Sequence, residues 1–466
     1  MKKLTFLIGS LLFLGMGTSN AQYTVLHNFG NLDGSDPQNS VVYSSGILYG
    51  MAYIGGPSFG GFIYSYNTGT NIYTDLLNFN DTNGMYPQSS LLVSGNMLYG
   101  MVYQGGAHGD GCLFSFNTGS HTYTDLLDFD GTTNGANPYG SLIMSGTTLY
   151  GMTTGGGAHG DGTLFSFNTS GNTYTNLLNF DGTNGQAPYG SLVMSGTTLY
   201  GTASAGGAHG DGCLFSFNTT GNIYTDLFDF NVTDGQAPEG TLVLSGTTLY
   251  GTASGGGAHS DGCIFSFNTS GNNYTDLFDF SGTNGQTPES TLSLSGTTLY
   301  GTASMGGANG QGCAFSFNTN GNIYTDLHDF AFGPNGAFPA YSTVTIGGNH
   351  LYGTTFEGGA NDSGVIYRLN DSLVASGVNS IVANSGSISV YPNPSNGQFT
   401  IQSSVVNGQS SVEVYNVIGE QVYSQSSIVH FPLSIDLSSQ ASGVYLYRVV
   451  SDNGNLLGQG KLIIQK

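Results

Sequence analysis

YTVLHNF, residues 23–29, is the stretch that decides the fold. Six sister copies follow it: YTDLLNF (73–79), YTDLLDF (123–129), YTNLLNF (174–180), YTDLFDF (224–230), YTDLFDF (274–280) and YTDLHDF (324–330). A second marker, LYG, stands at 48–50, 98–100, 149–151, 199–201, 249–251, 299–301 and 351–353. Its spacing of about 50 residues is that of propeller blades. Every LYG but the last is followed by a copy of the first motif. The seventh unit ends at VIYRLN (365–370), and the copy it lacks is YTVLHNF, ahead of the first unit. A chain that begins with the last strand of its final blade can close a ring and protect its sheet edges. An open β-solenoid leaves the permuted strand unexplained.

One unit reads SLVMSGTTLYGTASAGGAHGDGCLFSFNTTGNIYTDLFDF (191–230). Its period-2 segments, cut by glycine and Asn-rich turns, predict four antiparallel strands. The expected architecture is all-β: a seven-bladed β-propeller over 22–370, closed by the N-terminal strand. With 29 Tyr and 28 Phe the chain has ample core material, and its 76 glycines follow no collagen period.

The formal charge is −22. Beyond Lys2 and Lys3 the only basic residues are Arg368, Arg448, Lys461 and Lys466. Phosphate-rich partners need clustered Lys and Arg, so nucleic acid and anionic membrane surfaces are poor partners. Residues 1–21, MKKLTFLIGSLLFLGMGTSNA, have the charged start, apolar run and small-residue end of a secretory signal peptide.

GGAHGDGCLFSFN (105–117) gathers His, Asp and Cys, the residue types of nucleophilic and metal chemistry. It recurs at 156–168, 206–218 and 256–268 and weakens at 55–67, 306–318 and 358–370. A substrate meets its catalytic group once, so a motif repeated around a ring is first architectural. Cys112, Cys213, Cys263 and Cys313 share one repeat position, and equivalent positions on sheets about 10 Å apart argue against disulfides. His108, His159, His209 and His259 each precede an acid by two residues: Asp110, Asp161, Asp211 and Asp261. These eight are the candidate ligand-binding residues, an arc on the face carrying the long second-to-third and fourth-to-first connections. Pairs one blade apart do not converge on one zinc, and Asp128, Asp130 and Asn134 match no full calcium loop. The pattern calls for no metal and no cofactor. A glycoside-cleaving enzyme would need a carboxylate pair. Glu239, Glu289 and Glu357 depart from sister copies, but Glu239 and Glu289 occupy one equivalent position in adjacent units, which weakens them as a specialised pair. A sialidase-like site is disfavoured because Arg368 is the ring's only arginine.

The units resemble the GloVer-type tandem repeat of bacterial surface proteins through LYGT, the GG…G stretch and the following LF or IF. That resemblance implies the repeat architecture and carries no activity. After Asn370, residues 371–387 read as a linker, and alternating strands over 388–466 suggest a small Ig-like β-sandwich. This tail closely resembles the type A C-terminal sorting domain of the type IX secretion system. The matching residues are Tyr391, Pro392, Asn393, Pro394 and Gly397 in YPNPSNGQF; Tyr415, Asn416 and Gly419 in VYNVIGE; Gly443 and Tyr445 in SGVYLYRV; and Lys461. The resemblance implies a bacterium of the Bacteroidota, passage through the periplasm, and the type IX machinery as partner. It also implies release of the cargo, or its attachment to surface lipopolysaccharide after tail removal. The functional expectation is an exported propeller binding an extracellular glycan or protein. A polysaccharide-acting enzyme (hydrolase or lyase) and a passive surface-layer component are the alternatives.

Overall fold

Alternation of apolar and polar residues between tight turns builds the same sheet seven times. In the fourth unit, Val193–Ser195, Thr198–Ala203, Cys213–Asn218 and Ile223–Asp229 pair in chain order as one antiparallel sheet. The computed structural model describes residues 22–30, 34–370, 389–393, 395–402, 410–416, 421–428, 432–451 and 456–466. The signal-peptide stretch 1–21 and the linker 371–387 lie outside the described residues. The chain divides into two compact units, Met1–Val378 and Asn379–Lys466.

Six sheets follow the order of the chain, at 42–78, 92–128, 143–179, 193–229, 243–279 and 293–329. The seventh does not. Its order is Gln22–Asn28, Val365–Asn370, His350–Thr355, Thr345–Gly347, so the first strand of the chain completes the last sheet. Gln22 pairs with Asn370 and Asn28 with Val365, with a register shift between Val25 and His27. The fourth sheet shifts at the matching point, between Leu214 and Phe215. The permuted copy therefore reproduces the local geometry of its sisters.

Neighbouring sheets bury their apolar faces against one another, which is why the third strands are closed off on both sides. Met152, Leu164 and Phe180 of the third unit pack with Leu199, Phe215 and Phe217 of the fourth. Phe29, Leu48 and Tyr64 pack with Tyr352 and Ile366, so the first and seventh sheets share a core of the same kind. The glycine of LYG makes room for the next strand's aromatic ring. A Cβ on Gly201 would lie 2.7 Å from Phe215 Cζ and 3.0 Å from Leu192 Cδ2. Gly201→Ala is expected to cost about 1–3 kcal/mol through overpacking, read as a lower urea midpoint at unchanged slope.

A belt of hydroxyl groups links the starts of the sheets. The amide of Ser40 donates to Ser90 Oγ, Ser90 to Ser141, Ser141 to Ser191, Ser191 to Thr241 and Thr241 to Thr291, at 2.6–3.2 Å. The amide of Thr343 donates to Ser40 Oγ at 2.7 Å, returning from the seventh sheet to the first. The architecture is all-β and propeller-like.

The second unit has a three-stranded sheet (Ser389–Tyr391, Gln398–Gln402, Leu433–Asp436) and a four-stranded one (Ser410–Asn416, Gln421–Ile428, Gly443–Ser451, Leu456–Ile464). Phe399, Ile401 and Ile435 of the first meet Val412, Val414, Tyr447 and Leu462 of the second in one core. The YPNP segment is tied to the last strand: Asn393 Nδ2 donates to Lys461 O, and Ile463 N donates to Asn393 Oδ1, both at 2.8 Å. Tyr445 OH donates to Ala441 O at 3.0 Å. Gly397 has φ 115°, and a Cβ there would meet Ser438 Cα at 2.6 Å. Tyr415 donates to Glu413, which also pairs with Arg448. Pro394 and Gly419 lie outside the described residues.

Candidate functional site

The loop between the second and third strands is shaped by its two glycines. Gly207 has φ 75°, and a Cβ on it would sit 2.3 Å from Asp229 Oδ1. That close approach, which only glycine permits, lets the next amide, Ala208 N, donate to the same oxygen at 2.8 Å. Ala107 on Asp128 and Ala258 on Asp279 repeat the contact at 2.8 Å, and Ala158 uses Asn179 at 3.0 Å. The outermost strand thus anchors the loop from below. The side chains that follow, His108, His159, His209 and His259, are all exposed, one on each of four consecutive sheets.

The acids of the motif face the other way, toward the next sheet. Asp161, Asp211 and Asp261 each accept from the Nε2 of Gln186, Gln236 and Gln286, at 2.6–2.7 Å. Their carbonyls, and that of Asp110, accept the amides of Ala187, Ala237, Thr287 and Asn137 at 2.9–3.0 Å. Asp110 lacks the side-chain clasp because Ala136 stands where the others have glutamine. The motif therefore divides its labour: the histidines face solvent while the acids pin each sheet to its neighbour.

The pinned residues direct the chain onto the propeller axis. Ala237 and Thr287 hold left-handed φ of 50° and 55° just before Pro238 and Pro288, an unusual conformation for residues with a Cβ. The position after the proline is where otherwise similar units diverge: Gln38, Gln88, Tyr139, Tyr189, Glu239, Glu289 and Ala340. Most of these converge on a polar cavity of about 40 Å³, together with Tyr341 and hydroxyls of the belt. The Tyr139 ring lies edge-on to Tyr189 at 4.9 Å and to Tyr341 at 5.3 Å. Burial pushes the Glu239 carboxyl up to about 7, helped by the charge of Glu289. Burial also raises Glu289 to about 7, against the hydrogen bonds it makes with Ser304 and Tyr341. Burial likewise holds the Tyr139 and Tyr341 phenols neutral.

The sequence marks Glu239 and Glu289 but discounts them for sharing one repeat position; around an axis, that shared position is what brings them together. Tyr139, Tyr189, Tyr341 and Gln88 were not singled out. Their signal is divergence at one site of an otherwise uniform repeat. Glu357 does not join them and instead bears on Asp36.

Elsewhere the motif residues are structural. Asp130 Oδ1 accepts the amides of Thr132 and Thr133 at 2.9 and 2.7 Å, a self-contained turn. No group of three or more His, Cys, Asp or Glu among the described residues is placed to hold a metal ion. The four cysteines are free and fully buried. Cys213 donates to Asn184 O at 3.7 Å, and burial pushes its thiol up to about 12. Since the thiolate is the reactive form, native protein at pH 8 is expected to resist iodoacetamide at all four sites. Unfolding in guanidinium should expose all four, as counted by intact mass.

A family model described as the Gloeobacter/Verrucomicrobia repeat matches residues 12–215, 172–297 and 198–408. The chain belongs to this repeat family. A model of the secretion system C-terminal sorting domain matches residues 389–465, so the tail is the sorting domain of a type IX substrate. No curated protein matches the chain. Among solved structures, a GH74 enzyme of Niastella koreensis is 14% identical with a TM-score of 0.51, over 94% of this chain and 73% of that one. The extracellular domain of a one-component system from B. thetaiotaomicron is 10% identical with a TM-score of 0.49, over 96% of this chain and 58% of that one. A GH74 xyloglucanase from Xanthomonas campestris is 14% identical with a TM-score of 0.47, over 72% of this chain and 52% of that one. At such identities the likeness is one of fold. No helix among the described residues is long and apolar enough to cross a membrane.

Proposed function

We propose that residues 1–21 are a signal peptide and that residues 22–370 form a closed seven-bladed propeller that binds an extracellular glycan or protein. The linker 371–387 then leads to an Ig-like sorting domain at 388–466. The type IX machinery delivers the chain through the periplasm to the outer surface or the medium, with attachment to lipopolysaccharide after tail removal as the surface-bound fate. The observation that carries the binding reading is the asymmetry of the two faces. One holds the exposed histidine arc, His108 to His259, and the axial cavity where the units diverge. The other holds only short turns, such as Ser195–Thr198 and Asn218–Ile223, the second closed by the Asn218 side chain. Uniform repeats that vary at one convergent position fit a scaffold whose specificity is set there.

The enzyme reading draws on the paired glutamates, Glu239 and Glu289, whose carboxyls burial raises to about 7. An array of polysaccharides and surface proteins, probed with the full chain for both retention and released reducing ends, separates the readings. Retention without products is the expected result. Product release abolished by Glu239→Gln would replace binding with hydrolysis, and neither retention nor products would leave a passive surface component.

A further inference from the structure

The axial cavity sets two carboxylates among hydroxyl groups and tyrosine rings. Glu239 and Glu289 line it, and so does Gln88, whose Oε1 is buried with no hydrogen-bond partner. The face is short of positive charge: Arg368, the one basic residue in 22–370, acts on Tyr66 and Tyr352 instead. Tyr139, Tyr189 and Tyr341 wall the same space. Aromatic faces beside carboxylates are the surroundings that hold an organic cation, whereas a hard metal ion takes several oxygen ligands. Size narrows the choice further. A water needs roughly 10–15 Å³ of such space, so about 40 Å³ admits a head group of a few atoms and excludes a pyranose ring.

We infer that the axial cavity receives the side-chain ammonium of a lysine on a protein partner. An ammonium carries three donors and no acceptor, matching the carboxylates of Glu239 and Glu289. It arrives on a slim alkyl chain, where an amino sugar would have to bring its ring. The inference rests on the reading that this face binds ligands, and it selects protein over glycan as the ligand class.

The pH response follows from the groups that face one another. The titratable neighbours of the two glutamates are Tyr139, Tyr189 and Tyr341, with Tyr103 beyond Tyr189. The glutamates, raised to about 7, ionise across neutrality, while an alkylammonium stays charged.

The test is calorimetric titration of the full chain with n-butylammonium chloride at pH 5.5 and 8.5. Butanol, calcium chloride and a glucosamine oligomer serve as comparison probes. Saturable n-butylammonium binding is expected at pH 8.5, at least tenfold weaker at pH 5.5 and lost in Glu239→Gln/Glu289→Gln. A lysine peptide should compete, and its acetylated form should not. The double variant removes buried charge, so a melting temperature at or above that of the parent shows that it folds. No saturable binding, equal binding by the double variant, or binding of calcium, butanol or the glucosamine oligomer in place of butylammonium would each overturn the inference. Retention on the array by a chain that ignores butylammonium would sink this inference alone. Loss of both would sink the face-binding reading as well.

Discussion

A chain lacking residues 22–30 should lose the cooperative unfolding transition of the repeat unit, and a synthetic peptide of those residues should restore it. The deletion strips the edge of Val365–Asn370 of its pairing from Asn370 back to Val365. It uncovers Tyr367 and Phe330, between which Tyr23 packs at ring distances of 5.4 and 6.0 Å. It also removes Phe29, which is fully buried in the core shared by the first and seventh sheets. Two further ties disappear: Ala360 N to Asn28 Oδ1 at 2.8 Å and Phe29 N to Gly364 O at 3.0 Å. Phe29→Ala alone should cost about 3–5 kcal/mol, as large cavities in well-packed cores do. Thermal or urea unfolding with titrated peptide reads both results. An unchanged transition in the truncated chain would mean that the strand is an ornament and the ring is not closed by it.

The second large effect is an inverted pH dependence. Glu239 and Glu289 are raised from 4.5 to about 7, and Asp36, Asp276 and Asp326 from 3.8 to about 6, in each case chiefly by burial. Between the unfolded and folded values the native state binds more protons than the unfolded chain. Stability therefore falls as pH rises through this window, from about 4 to about 7. Asp181 is shifted the other way by its turn hydrogen bonds, and its contribution is lost only below that window. Each of the two glutamates should account for on the order of 3 kcal/mol between pH 4 and pH 8. Glu239→Gln/Glu289→Gln should accordingly melt several degrees higher than the parent at pH 8 and match it near pH 4. Melting curves at intervals across pH 4–8 check this; a parent curve that rises with pH would contradict it.

The displaced strand was legible because its copy number and place could be counted: seven LYG units, six following YT motifs and one displaced to the front. Strand order, the two faces and the structural character of the GGAHGDG stretch follow from the same count. The axial site was not legible to the same degree. Glu239 and Glu289 lie 50 residues apart, and only rotation around an axis makes one repeat position into one place. Tyr341 is harder still, because the seventh unit is offset there and places Ala340 where its sisters carry Gln, Tyr or Glu. The roles within His-x-Asp were also hidden. Spacing put histidine and acid together, while the glutamine 25 residues on, Gln236 for Asp211, took the acid away.

The central claim is that the long-loop face is the binding face. Its most direct test compares retention on the ligand array for two quadruple variants of the full chain. One carries alanine at His108, His159, His209 and His259; the other carries it at Ser120, Ser170, Thr220 and Ser270, exposed on the opposite turns of the same four sheets. Retention should fall at least tenfold in the histidine variant and stay at the parent level in the turn variant. Equal retention by both, or a loss confined to the turn variant, would contradict the account.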